Sequence, residues 1–182
     1  MAASLRQGLQ RWRTLHRIKQ AHLAELLGVT QSTISRWESG TLNFEDKEAR
    51  RIEGIVAAHH TSSADTALRQ LIEESARTIH LVCDVSHRLL ACSASRASSF
   101  GTPVSELLGR SLWRFSTKEL LAQEERLETL GWHDFAMPQP VEFETGNNGS
   151  DLVPIRPSRC RWTRMTLSDG TRGRLVETLR SV

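Results

Sequence analysis

Long apolar runs are missing from these 182 residues. No stretch reaches the roughly 18 apolar residues that a membrane-spanning helix needs, so no membrane segment is expected. The start of the chain also lacks the uninterrupted apolar core of a signal peptide, because Arg6, Gln7, Gly8 and Gln10 break it. Cysteine is scarce: Cys83, Cys92 and Cys160 are odd in number and show no Cys-x-x-Cys spacing. A disulfide framework and a zinc site are therefore not expected, no metal is expected at all, and the composition fits a reducing cytoplasm. Lysine almost vanishes after residue 60, where Lys118 stands alone in a charged cluster with Glu119. A self-cleaving Ser/Lys peptidase needs an activating lysine and a cleavage pair such as Ala-Gly in the linker, and neither is offered. No enzyme is expected, and no internal repeat is visible.

What is present is unevenly distributed. The net charge of +3 lies entirely in residues 1–60, which hold nine Lys/Arg against six Asp/Glu, while residues 61–182 hold fifteen of each. An acidic polymer is the natural partner of the first part and not of the second. A composition break falls at "AAHHTSSADT", residues 57–66, which is small, polar and without apolar periodicity. It reads as a linker between a domain over residues 1–60 and another over residues 64–182.

Before the break every segment has helical spacing. Leu5, Leu9, Trp12 and His16 form one stripe, with Ser4 as a candidate N-cap. Leu23, Ala24, Leu26 and Leu27 form a second, ended by Gly28, which can take the left-handed conformation of a tight turn. Thr30 caps the next helix, and "NFEDKEARRIEGIVAA" supplies a further one with Ile52, Ile55 and Val56 inward. The stretch "GVTQSTISRWESG" (28–40) is the informative one. On a helical wheel Ile34 and Trp37 share a narrow apolar face, suited to docking on Leu23, Ala24 and Leu27. Gln31, Ser32, Ser35 and Arg36 cover the opposite side with hydrogen-bonding groups, unlike the Lys/Glu mix of a merely solvated helix.

"QAHLAELLGVTQSTISRWESG" (20–40) resembles the helix-turn-helix of the phage-repressor class, the Cro/repressor or xenobiotic-response-element (XRE) family. The likeness spans roughly residues 5–58 and rests on Leu23, Ala24, Gly28, Val29, Ile34, Glu38 and Gly40 together. It implies an all-α, five-helix, lambda-repressor-like DNA-binding domain whose second motif helix lies in the major groove. Carried over, Gln31 would meet an adenine through its amide, Gln20 would brace Gln31 and touch a phosphate, and Ser32 would add a second base contact. Thr33 lies toward the flank, Ser35 faces outward with them, and Arg36 would reach a guanine or a phosphate. Thr41 and Asn43 would contact the backbone. Lys19 stands where the family often has a capping Ser or Thr and adds a cation near phosphate. One such helix reads only a few base pairs, so double-stranded DNA would be met by a homodimer on two half-sites. An anti-repressor that uses the same fold to bind protein is the alternative, against which the charge asymmetry and the polar face argue.

After the break an amphipathic helix is expected over 64–78, with Leu68, Leu71, Ile72 and Ser75 on one side. "IHLVCD" and "RLLACS" read as a hairpin, residues 103–131 as helical, and 139–145, 159–168 and 171–182 as strands, with "SDGT" as a turn. The pattern describes an α+β domain on an antiparallel sheet. "VSELLGRSLWRF" (104–115) resembles the helical middle of Per-Arnt-Sim (PAS) domains. The hairpin before it resembles their opening, with Asp84 where an acid is common and His87 where glycine is usual, and 162–179 resembles their closing hairpin. The resemblance implies signal input and dimerisation, with helix 64–78 as the joining segment. The flavin-type motif is absent around Cys92, and the cupin His-x-His is absent too. No cofactor is called for, though haem or another small-molecule ligand stays open. His80, His87 and His133 are read as surface or hydrogen-bonded histidines, Trp113, Phe115 and Leu108 as pocket-lining candidates, and the cysteines as buried thiols.

Overall fold

The computed structural model describes residues 2–56, 62–133 and 137–181. It divides into two compact units, residues 1–57 and 58–182. Of the expected linker, residues 57–61 lie outside the described residues.

The first unit is helical: α1 (Ala2–Leu15), α2 (Gln20–Leu27), α3 (Gln31–Ser39) and α4 (Asp46–Val56). Its core keeps most of the stripes legible in the sequence, but Leu26 and His16 of those stripes are exposed. Leu9, Leu23, Ile34 and Ile52 have no exposed surface, and Leu5, Ala24, Leu27, Trp37 and Val56 are buried around them. Each large apolar side chain so buried contributes about 1.5–3 kcal/mol. Both α2 and α3 end on a left-handed glycine, Gly28 (φ 64°) and Gly40 (φ 80°). In each case the two N–H groups after the helix return to its last free carbonyls: Gly28 to Glu25 and Val29 to Ala24, then Gly40 to Trp37 and Thr41 to Arg36. Thr30 caps α3 by accepting from the Thr33 N–H at 3.2 Å. Helix α1 begins at Ala2, two residues before Ser4, so Ser4 lies in its first turn.

The second unit opens with α5 (Ser63–Glu73), the fifth helix before the first strand. There follow β1 (Ile79–Cys83), β2 (Leu89–Cys92), α6 (Ala94–Ala97), α7 (Val104–Leu107), a 3-10 turn at Trp113–Phe115, α8 (Lys118–Arg126), β3 (Val141–Thr145), β4 (Ser158–Thr166) and β5 (Arg172–Ser181). The strands form one antiparallel sheet in the order β2-β1-β5-β4-β3, so the first and last hairpins join where Leu81 faces Leu175. Alternation sends neighbouring side chains to opposite faces. Ile79, Leu81 and Leu175 pack with Leu68 and Ile72 of α5. Val82 and Val176 pack with Phe100, Leu107 and Phe115 on the other face.

Three expectations shift. Helix α5 stops at Glu73, which leaves Ser75 beyond it, and Leu71 points outward with 69% exposure. Residues 103–131 are not continuously helical, because β2 captures their middle. Gly109, at φ 73°, donates to the Leu89 carbonyl, and Leu89–Leu108 and Arg88–Ser111 pair as bridges. Among the described residues no helix is long and apolar enough to cross a membrane.

Candidate nucleic-acid interface and ligand cavity

Helix α3 is held by polar pins as well as by its apolar face. Ile34 and Trp37 are buried, and the Trp37 ring lies 5.1 Å from that of Phe44. Glu38, on the flank, accepts from Arg13 Nε at 2.6 Å and Arg13 Nη2 at 2.9 Å, and from Gln20 Nε2 at 2.8 Å. Arg13 also donates to the Ile18 carbonyl at 3.0 Å. One carboxylate thus ties α3 to α1 and to the start of α2, and its hydrogen bond raises the pKa of Arg13. Seven residues before Arg13 on the same face of α1, Arg6 lies across Gly40. A Cβ added there would come within 2.7 Å of the guanidinium. Arg6 Nη2 also donates to Asn43 Oδ1 at 3.4 Å.

With α3 so fixed, its outer side is presented as a rigid row. Gln31, Ser35 and Arg36 are exposed and their side chains have no hydrogen-bond partner among the described residues. Lys19 is exposed at the head of α2, where its side chain caps nothing. Ser32 and Thr33 share their hydroxyls with Thr30, at 2.8 and 2.9 Å. Thr41 donates to the Arg36 carbonyl at 3.3 Å, and exposed Asn43 accepts from Arg6. The brace from Gln20 to Gln31 is not made. Gln20 turns to Glu38, because a carboxylate held by an arginine is the stronger acceptor within reach.

The second unit encloses a different kind of site. A cavity of about 560 Å³ lies against the sheet face opposite α5. Trp113 and Phe115 line it as the sequence indicated, and His80 and His87 do too. Leu108 does not; it packs among Phe100, Leu107 and Val153. His133 is not part of the lining either. One wall is an ion network in which Arg174, with 1% side-chain exposure, meets Asp84 Oδ1 at 2.7 Å and Glu124 at 2.5 and 3.2 Å. Asp84 also accepts from Trp132 Nε1 at 3.1 Å, and the Arg174 guanidinium lies 4.3 Å from the Trp162 ring. Burial by itself would raise the pKa of Glu124, yet the charge and hydrogen bonds of Arg174, with the His87 ring nitrogen 3.5 Å away, hold it well below the carboxylate range. Burial works against Arg174 as well, and Asp84 and Glu124 outweigh it, so its pKa rises.

His87 takes the left-handed conformation at φ 56°, which explains why glycine suits this position, and its ring stacks on Trp113 at 4.1 Å. Burial, then the nearby Arg96 charge, pushes His80 down to about 3, so it stays neutral. All three cysteines are buried, and none forms a disulfide among the described residues. Burial pushes Cys92 up to about 11 and Cys160 up to about 12, which suppresses the reactive thiolate. Among the described residues no group of three His, Cys, Asp or Glu could hold a metal ion.

A family model described as helix-turn-helix matches residues 9–54, the span that contains the pinned α2–α3 pair. The first unit carries a helix-turn-helix domain. No curated protein matches the sequence. Among solved structures, the chain is similar to the PAS domain of an HTR-like protein from Haloarcula marismortui, at 20% identity and a TM-score of 0.45, covering 76% of this chain and 100% of that one. It is also similar to the PAS domain of BvgS from Bordetella pertussis, at 16% identity and a TM-score of 0.40, covering 64% and 85%. A third similarity is to an RNA-binding Light-Oxygen-Voltage receptor, at 10% identity and a TM-score of 0.45, covering 97% and 59%.

In the helix-turn-helix domain, sequence reasoning singled out the outward row and missed its supports. Arg6 and Arg13 were legible only as positive charge. Their seven-residue spacing places both on one face of α1, and that was the available signal. Arg17 was missed too: at φ 53° it occupies the seat after α1 that glycine fills after α2 and α3.

Proposed function

We propose that this protein is a dimeric, sequence-specific DNA-binding transcriptional regulator acting in the cytoplasm, whose second unit is a PAS-like module that pairs two copies and receives a signal. The observation that carries the reading is α3, locked by Glu38 while Gln31, Ser35 and Arg36 remain exposed and unpartnered. In the major groove the Gln31 amide would pair with an adenine, and Arg36 with a guanine or a phosphate. Lys19, at the head of α2, would approach phosphate and add a salt-dependent contribution. Ser32, Thr33, Thr41 and Asn43 would exchange their internal hydrogen bonds for DNA contacts, and Gln20 would touch a phosphate from its seat on Glu38. The excess positive charge of residues 1–60 supports the same partner. Pairing is supported by the outward Leu71 of α5, and signal reception by the cavity.

The test is affinity for DNA fragments selected from a random-sequence pool, read by fluorescence anisotropy. Gln31→Ala and Arg36→Ala should each weaken the preferred site by about 1–3 kcal/mol if they contact bases. A phosphate contact would instead lower affinity evenly across sequences. Unchanged affinity in both variants would remove α3 as the reader.

A further inference from the structure

Two arginines line the inner part of the cavity, and only one of them has an acid. Arg174 is committed to Asp84 and Glu124. Arg96, on α6, has no carboxylate partner among the described residues. Its Nη1 donates to Ser99 Oγ at 2.9 Å and to the Pro154 carbonyl at 3.3 Å, and its guanidinium lies 4.8 Å from the Phe100 ring. The other edge is idle among the described residues: Nη2 makes no hydrogen bond, and Nε is buried without a partner. A guanidinium N–H so placed is a charge-assisted donor suited to a carboxylate oxygen.

Burial lowers the pKa of Arg96. An arginine side chain nevertheless keeps its proton, so the charge remains and is uncompensated. A buried charge without a partner is costly, and an anion supplied from outside would remove that cost. The rest of the lining agrees: among the described residues it includes Arg96, Arg156 and Arg174 and no aspartate or glutamate. Trp162 Nε1 is a second buried donor on this wall without a partner. The remainder is mixed: Leu112, Trp113, Phe115, Leu120, Val153 and Val176 supply an apolar wall, and hydroxyls such as those of Thr78, Ser98 and Thr178 lie beside it. At about 560 Å³ the space falls in the usual range for a small-molecule site, roughly 300–1,000 Å³.

We propose that this cavity binds a small organic monoanion, an aromatic or branched carboxylate, with its carboxylate on the unpartnered Nη2 side of Arg96 and its apolar body against Trp113 and Phe115. The proposal rests on the reading of the second unit as the part that receives a signal, and it names the chemistry of that signal. One unpaired guanidinium matches one negative charge, and the apolar walls favour an organic body over a bare inorganic ion.

The test uses the full chain with benzoate, phenylacetate and 4-methylpentanoate as probes, with their amides and inorganic phosphate as controls. At least one carboxylate should raise the melting temperature by a few degrees while its amide does not. Arg96→Gln should weaken that carboxylate roughly tenfold or more, whereas Arg156→Gln, on the exposed rim, should keep most of the affinity. Because Arg96→Gln could disturb α6, a second measurement uses the unaltered protein. The His80 imidazole, followed by NMR, should titrate at higher pH once an anion offsets the Arg96 charge. Equal binding of acid and amide, a matching shift with phosphate, undiminished binding by Arg96→Gln, or no shift with any carboxylate would each overturn the proposal. DNA affinity measured alongside separates the two readings. Carboxylate binding that leaves DNA affinity unmoved breaks the link to regulation alone, while intact DNA binding without carboxylate binding breaks this proposal alone.

Discussion

The two units use buried charge in opposite ways. In the helix-turn-helix domain, ionic contact is spent on holding a helix still: Arg13 and Gln20 converge on Glu38, and the outward Gln31, Ser35 and Arg36 of α3 are left without partners among the described residues. In the second unit the charges turn inward. Arg174, Asp84 and Glu124 satisfy one another behind the cavity, while Arg96 on its wall does not find an acid. The comparison teaches where to look for partners. Polar groups satisfied inside the chain maintain its shape, and those left unsatisfied in a rigid setting mark where something else binds.

The largest effect should come from breaking the inner network. Arg174→Met leaves Asp84 and Glu124 buried as neighbouring carboxylates, and should cost the second unit about 3–5 kcal/mol. Hydrogen exchange resolved by segment should show β1 and β5 losing protection while α2 and α3 keep theirs. The corresponding change in the first unit is smaller. Glu38→Ala strands Arg13 and Gln20 at a half-buried site and should cost about 2–3 kcal/mol. Its thermal unfolding should fall, and DNA affinity should fall with it, because α3 loses its tether.

A pH series sharpens the contrast through His80 of the second unit. His80 titrates near 3 in the folded chain against an ordinary 6.5. As pH drops through 6.5 the unfolded chain takes up a proton that the folded chain refuses. The stabilisation is therefore full above about pH 6.5 and declines toward pH 3, with a slope of up to about 1.4 kcal/mol per pH unit. Glu124, whose folded pKa is depressed, adds to the loss as pH falls below the ordinary carboxylate range. Urea unfolding at pH 7 and pH 5 should show the decline, and His80→Gln should flatten it. The smallest effect is a gain: Arg17→Gly should relieve left-handed strain after α1 and stabilise the first unit by about 0.5–1 kcal/mol, read as a slightly higher melting temperature.

Much of the fold was legible because its signals are local. The hairpin of β1 and β2 announced itself by alternation around a short turn. The segment 103–131 did not read correctly, because helical spacing there competes with bridges to Arg88 and Leu89 that sequence spacing does not record. The outward row of α3 was legible from the wheel, whereas Gln20 was misread because its partner is Glu38, 18 residues away near the end of α3, rather than Gln31 at its start.

By itself, the sequence determined the helices of the first unit, the glycine-ended turns at Gly28 and Gly40, the Thr30 cap and the division of α3 into an anchored side and a free one. Helical period, capping and left-handed glycine act within a few residues and need no distant partner. Tertiary structure alone decided that Glu38 is shared by Arg13 and Gln20, that Arg174 meets Asp84 across 90 residues and Glu124 across 50, and that Arg96 faces a cavity without an acid. Charge pairing depends on distance in space and on exclusion of water, and neither is written in the order of residues.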